Sequence, residues 1–124
     1  MGQLKPFRAT ALIVEDDAMQ RQMLSLLLEE SGYQVIECDS AESARRVLED
    51  PATAPCLLMT DVQLAGVMNG VELAHIAKQH NPRLDVVVTS GRPLTQTLPA
   101  GAKFWAKPWA PLDVLREAEI AQSS

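Results

Sequence analysis

Short apolar runs alternate along this chain with longer stretches of helical spacing, and each run ends in polar residues. Thr10–Val14 reads as a first strand that closes on Leu12-Ile13-Val14 before Glu15-Asp16-Asp17. From Ala18 to Glu30 the positions Met19, Met23, Leu26 and Leu27 follow helical spacing, which predicts a helix with those four side chains on its core face. Gly32 suits the left-handed residue that ends such a helix. Tyr33–Cys38 follows as a second strand centred on Val35 and Ile36. Ser40 is a candidate N-cap for a second helix with Ala41, Ala44, Val47 and Leu48 on its apolar face. Pro51 and Pro55 bracket the exit, and Cys56–Thr60 is apolar on both faces, as a central strand of a parallel sheet must be.

A loop is expected over Val62–Asn69, then a helix from Gly70 to His80 stopped by Asn81-Pro82. Leu84–Thr89 and Lys103–Ala106 supply two further strands. Pro111 in a first turn opens a last helix running to about Gln122. Strand-helix alternation of this kind predicts a parallel α/β domain. One segment breaks the rhythm. Ser90–Ala102 should hold a crossover helix, yet Pro93 and Pro99 enclose only Leu94-Thr95-Gln96-Thr97-Leu98. Proline removes a helix donor and disfavours helical geometry in the residue before it, so this helix should be short or missing. Neither repeats nor linkers interrupt the chain. The expected organisation is a single domain over residues 1–124, with its core at about 10–122 and flexible ends at 1–8 and 123–124.

Composition narrows the function. The 124 residues carry a net charge of −5 and 47% apolar side chains, ordinary for a globular protein of one domain. No apolar run approaches the roughly 20 residues of a membrane span. Met1–Thr10 lacks the apolar stretch of a secretory signal, so the expected location is cytoplasmic with no membrane partner. No basic stripe suggests nucleic acid. Cys38 and Cys56 are expected to be reduced, because an intervening strand would hold them about 9.6 Å apart, beyond the roughly 7 Å Cα limit of a disulfide.

The strand ends carry the chemistry. Glu15-Asp16-Asp17, Asp61, Thr89-Ser90 and Lys107-Pro108 each follow an apolar run, and parallel strands would bring them to one sheet edge, where α/β folds collect ligands. Asp16 and Asp61, with Glu15 in support, suit Mg²⁺, with Mn²⁺ as a substitute; such a cation takes a few carboxylates and completes its shell with water and phosphate oxygens. A carboxylate can attack phosphorus to give an aspartyl phosphate. The metal and Lys107 would balance the charge, and the Thr89 hydroxyl can donate one hydrogen bond.

In Val14-Glu15-Asp16, Asp61 with Leu64 and Gly66, Thr89-Ser90 and Lys107-Pro108-Trp109, the sequence resembles the receiver domains of two-component response regulators, from about Thr10 to Gln122. The resemblance implies a flavodoxin-like, doubly wound five-stranded parallel sheet of order 2-1-3-4-5. It implies Asp61 as phosphoacceptor, Glu15 and Asp16 as the acidic pair with Asp17 outside it, and the Gln63 backbone carbonyl as a further metal ligand. Thr89 becomes the switch hydroxyl, Lys107 the phosphate-binding lysine and Phe104 the switch aromatic. The implied activity is that of a signalling protein in a phosphorelay rather than an enzyme with an external substrate. Its partners would be a histidine kinase or histidine phosphotransfer protein and a downstream protein target. The first helix, with Met19, Gln22 and Met23, would face the phosphoryl donor.

The chain departs from the family pattern at several places. Glu15 replaces the commoner aspartate, Ala65 stands where proline is common, and the Gly66–Gly70 loop is one residue longer. The shortened fourth crossover removes part of the usual output face. It keeps open a second reading, a pseudo-receiver that binds partners without phosphorylation. A Mg²⁺-dependent phosphohydrolase of the haloacid-dehalogenase type would need an aspartate two positions after Asp61, and this chain has Gln63. His75 and His80 lack metal-ligand spacing and read as structural or solvated.

Overall fold

The computed structural model describes residues 8–123. Five strands, β1 (Thr10–Val14), β2 (Gln34–Cys38), β3 (Leu57–Asp61), β4 (Asp85–Ser90) and β5 (Lys103–Ala106), form one parallel sheet in the order β2-β1-β3-β4-β5. Four helices accompany them among the described residues: α1 (Ala18–Glu30), α2 (Ala41–Glu49), α3 (Gly70–His80) and α4 (Pro111–Ser123). The parallel α/β domain expected from the alternation of elements is present, in the flavodoxin-like order that the resemblance implied. Strand limits move by a residue: Tyr33, Cys56 and Leu84 precede their strands, while Asp61 and Ser90 are the last residues of theirs. The expected flexible ends fall mostly outside the described residues, except that Arg8 is exposed and Ser123 closes α4.

Each face of the sheet has its own core. Leu12, Val14, Leu58, Val86 and Val88 pack with Ala41 and Ala44 of α2 and Val71, Leu73, Ala74 and Ala77 of α3. On the opposite face Ala11, Ile13, Leu57, Met59 and Val87 meet Leu24 and Leu28 of α1 and Val114, Ala118 and Ala121 of α4, with Trp105 and Trp109 against them. β3 is buried at every position because it lies in the middle of the sheet with helices on both faces. Cys38, at the end of β2, and Cys56, just before β3, are free thiols with β1 between those strands.

Of the four residues expected on the core face of α1, only Leu27 packs against the core, partly buried. Leu24, Ser25 and Leu28 are buried, whereas Met19, Met23 and Leu26 are 79%, 53% and 61% exposed. Met19, Met23, Leu26 and Leu27 share helical spacing, but Leu24 and Leu28 give the helix a second apolar face, and only packing selects between them. The end of α1 follows expectation. Gly32 takes φ +93°, its N–H donates to Glu29 O and that of Tyr33 to Leu28 O, the paired bonds of a glycine-terminated helix.

Residues 91–102 contain no helix. Leu94, Leu98 and Ala102 nevertheless pack against the α2–α3 core, so an irregular segment covers the surface a crossover helix would cover. Its polar anchors are on α3. Asn69 Nδ2 donates to Gln96 Oε1 at 2.8 Å, and His75 Nε2–H donates to Thr97 O at 2.8 Å. His75 therefore has a structural bond, and His80 is exposed.

Candidate functional site

The carboxyl ends of β1, β3, β4 and β5 meet at one edge of the sheet. Asp61 is buried at the end of β3, in register with Thr89 of β4, which is also buried. Val62 N–H donates to Thr89 O at 2.9 Å, extending that pairing past Asp61. Glu15 is buried just beyond β1, and Asp16 beside it is exposed. One carboxylate oxygen from each of Glu15, Asp16 and Asp61 lies within 4.8 Å of the others.

Lys107 ties the set together. Its backbone N–H donates to Ser90 O at 2.8 Å, which continues the β4–β5 pairing and aims the residue along the edge. The ammonium reaches Asp61 Oδ2 at 3.1 Å, Glu15 Oε1 at 3.2 Å and Gln20 Oε1 at 3.0 Å. Burial lowers the Lys107 pKa, but hydrogen bonding and charge from Asp61 and then Glu15 outweigh it, so the ammonium is held above its ordinary value. Burial pushes the Glu15 carboxyl up, the Asp17 N–H opposes this, the Asp61 charge adds to it and Lys107 opposes it; the net direction is upward. Asp61 Oδ1 is buried with no hydrogen-bond partner. A bare carboxylate oxygen in that position is costly unless something positive meets it.

The third acidic residue has a different task. Asp17 is the N-cap of α1, accepting from Met19 N at 2.9 Å and Gln20 N at 3.1 Å. Its own N–H donates to Glu15 Oε2 at 3.2 Å. Arg21, one turn into α1, donates to Glu15 O at 2.7 Å and pairs with Glu37 of β2 at 3.4 Å. The acidic corner is thereby fixed from two elements.

Gln63 lies two residues past Asp61, and its side chain accepts from Ser90 Oγ at 3.0 Å. Phe104 is half-buried on β5 in register with Val88, on the face of α2, α3 and the irregular segment. The structure thus brings Glu15, Asp16, Asp61 and Lys107 into one cluster, with Thr89 beside it and Phe104 on β5, three residues before Lys107.

Three contributors escaped the sequence reading. Gln20 is an exposed helix residue whose contact with Lys107 spans 87 positions of sequence. Glu42 of α2 accepts the N–H groups of Val67 and Met68 at 3.2 and 2.9 Å and so docks the long β3–α3 loop. Gly66 permits this: at φ +99° a Cβ would lie 2.8 Å from Glu42 Oε1. Gly70 opens α3 directly against the site, where a Cβ would lie 1.9 Å from Asp61 O. Asn69-Gly70 with Glu72 was a readable signal for that helix start. Asn69 and Glu72 form a reciprocal capping box.

Beside the cluster, Gln20, Met23, Lys107, Pro108, Trp109 and Pro111 line an open groove of about 410 Å³ between α1 and the start of α4. No helix among the described residues is long and apolar enough to cross a membrane.

The sequence model of the response regulator receiver domain matches residues 11–117. A cyclic di-GMP phosphodiesterase of Thermotoga maritima is 34% identical over 111 residues, covering 86% of this chain and 29% of that protein. The chain spans 29 to 36% of the length of the first curated relatives it matches. Among solved structures, a response regulator receiver protein from Sinorhizobium medicae superimposes with a TM-score of 0.85 at 20% identity, over 94% of this chain and 96% of the other. A CheY-like response regulator receiver domain protein from Methanospirillum hungatei gives 0.82 at 25% identity, over 94% and 98%.

Proposed function

The chain belongs to the response regulator receiver domain family, and from that premise we propose that Asp61 accepts a phosphoryl group from a phosphohistidine. The observation that carries the proposal is the state of the Asp61 carboxylate. Oδ2 is held by Lys107, and Oδ1 is buried, unpartnered and among two further carboxylates. In the transfer an Asp61 oxygen bonds to phosphorus as the phosphorus–nitrogen bond of the donor breaks. The bonding pair returns to the imidazole, which takes up a proton. Lys107 follows the developing charge on the phosphoryl oxygens, and the Thr89 hydroxyl donates to one of them.

The donor set fits a hard divalent cation. Three carboxylates supply oxygen only, and one of those oxygens is an unpartnered buried Oδ1. Glu15, Asp16 and Asp61, with the Gln63 carbonyl, would hold Mg²⁺ or Mn²⁺, which when bound neutralises charge on the phosphoryl oxygens. Glu15 reaches one methylene further than aspartate and spends that reach on both the Asp17 N–H and Lys107.

The phosphoryl donor, a histidine kinase or histidine phosphotransfer protein, docks across α1. Met19, Met23 and Leu26 form an exposed apolar stripe there, with Gln22 also exposed and the groove at Met23 leading to Lys107. The domain acts as a signalling module and returns to its ground state by hydrolysis of the aspartyl phosphate.

Incubation with acetyl phosphate and Mg²⁺ tests the reading. The protein should gain the mass of one phosphoryl group, and chelation of the metal or Asp61→Asn should abolish the gain. No gain at millimolar donor and metal would leave a phosphorylation-independent binding module as the better account. The irregular 91–102 segment is the observation that favours that second reading.

A further inference from the structure

An ammonium has three N–H donors, and those of Lys107 are matched by three acceptors: Asp61 Oδ2, Glu15 Oε1 and Gln20 Oε1. The three acceptors are not equivalent. Asp61 is the residue that would be phosphorylated, so its charge and geometry change during the cycle. Glu15 belongs to the carboxylate set that would turn towards a cation. Gln20 is neutral, and neither phosphoryl transfer nor metal binding alters it.

We propose that Gln20 is the positioning residue for Lys107, the one contact that holds the ammonium over Asp61 throughout the phosphorylation cycle. The proposal rests on the reading of Asp61 as phosphoacceptor. Its physical basis is the mobility of a lysine. Four rotatable bonds separate the ammonium from the backbone, and the groove lined by Met23, Pro108, Trp109 and Pro111 lies open beside it. Without a third acceptor, an ammonium whose carboxylate partners turn to a cation can swing into that groove. Gln20 also lines the groove, and its contact with the ammonium opposes that swing.

α1 makes Gln20 suitable for this role. Its backbone N–H is fixed by the Asp17 cap, so the side chain starts from an anchored first turn. The same cap residue donates its own N–H to Glu15, which couples the position of Gln20 to the acidic corner. Gln20 is exposed, so its replacement leaves the core unchanged.

Two isosteric variants separate positioning from bulk: Gln20→Met removes the acceptor, and Gln20→Glu keeps an oxygen in its place. With saturating acetyl phosphate and Mg²⁺, Gln20→Met should lower the maximal phosphorylation rate roughly fivefold to tenfold, the scale of one hydrogen bond of ordinary net strength. The donor concentration for half-maximal rate and the thermal midpoint should stay unchanged. In ¹⁵N-lysine spectra, the Lys107 Nζ–H signal, assigned with Lys107→Arg, should be protected from exchange in wild type and Gln20→Glu and lost in Gln20→Met. A Gln20→Met protein with the wild-type rate and a protected Lys107 signal overturns the proposal. If wild type takes no phosphoryl group, the reading of Asp61 fails, and the Lys107 signal alone still decides whether Gln20 holds the lysine.

Discussion

Asp61 and Lys107 were legible because each ends an apolar run, and parallel pairing leaves strand ends only one place to meet. Their helpers were not. Gln20 and Glu42 are exposed or half-exposed helix residues whose roles come from partners 87 and 26 positions away, a separation no local pattern encodes. Gly70 shows how close the packing is at this scale. The first residue of α3 lies so near the Asp61 carbonyl that a methyl group has no room, and the obstacle is backbone rather than a movable side chain. Gly70→Ala should therefore destabilise the fold by about 2 kcal/mol or more, the upper part of the overpacking range. Asp61 should also shift away from Lys107, which would slow phosphorylation. Denaturant unfolding together with the phosphorylation rate checks both effects. Unchanged stability would mean that α3 can slide without cost.

Element existence followed from the alternation of apolar runs and helical spacing, and element faces did not always. α1 has two apolar faces, so Met19 and Met23 could be placed only once Leu24 and Leu28 were seen against the sheet. The loss of the crossover helix was legible from Pro93 and Pro99. What replaces it was not, since Leu94 and Leu98 reach the core without periodicity. The ends of β4 and β5 away from the site hold a second charged cluster. Asp85 there pairs with Lys103 at 3.7 Å, Lys103 pairs with Glu117 at 2.5 Å, and Asp85 Oδ2 is buried without a partner. Burial, then the neighbouring Glu117 carboxylate, push the Asp85 carboxyl up to about 7, against the pull of Lys103 and Lys78; Tyr33 and Cys56 also face it. A carboxyl raised in the folded state contributes stability that is full below about pH 4 and is lost as pH rises through 7. Glu117, lowered by its hydrogen bonds to Asp85 and Lys103 despite burial, contributes in the opposite sense at the acid end. Asp85→Asn removes the first effect together with one of the two hydrogen bonds that lower Glu117, and the second loss is confined to the acid end. Compared with wild type, the variant should gain stability between pH 5 and pH 8, on the order of 1 kcal/mol. Parallel stability curves for the two proteins would show that Asp85 does not hold a proton in the fold.

At the scale of the molecule the two faces divide the work. The α1–α4 face carries the exposed stripe and the groove beside Lys107, and the α2–α3 face carries the irregular segment tied to α3 through Asn69 and His75. Docking and catalysis should therefore separate by mutation. Met19→Glu combined with Met23→Glu should lower phosphotransfer from a histidine-phosphorylated partner at least tenfold, as expected for losing apolar anchors at an interface centre. The same double variant should keep wild-type phosphorylation by acetyl phosphate, because neither residue belongs to the core. Equal loss with both donors would mean that the stripe supports the site rather than the partner.

The proposed phosphoacceptor is the buried, lysine-held carboxylate of Asp61. The most direct measurement is to phosphorylate the protein with acetyl phosphate and Mg²⁺, digest it under conditions that preserve acyl phosphates, and locate the added group by mass spectrometry. One phosphoryl group is expected on Asp61 and none on that peptide in Asp61→Asn. A phosphoryl group carried elsewhere in the wild-type protein, or none at all, would contradict that assignment.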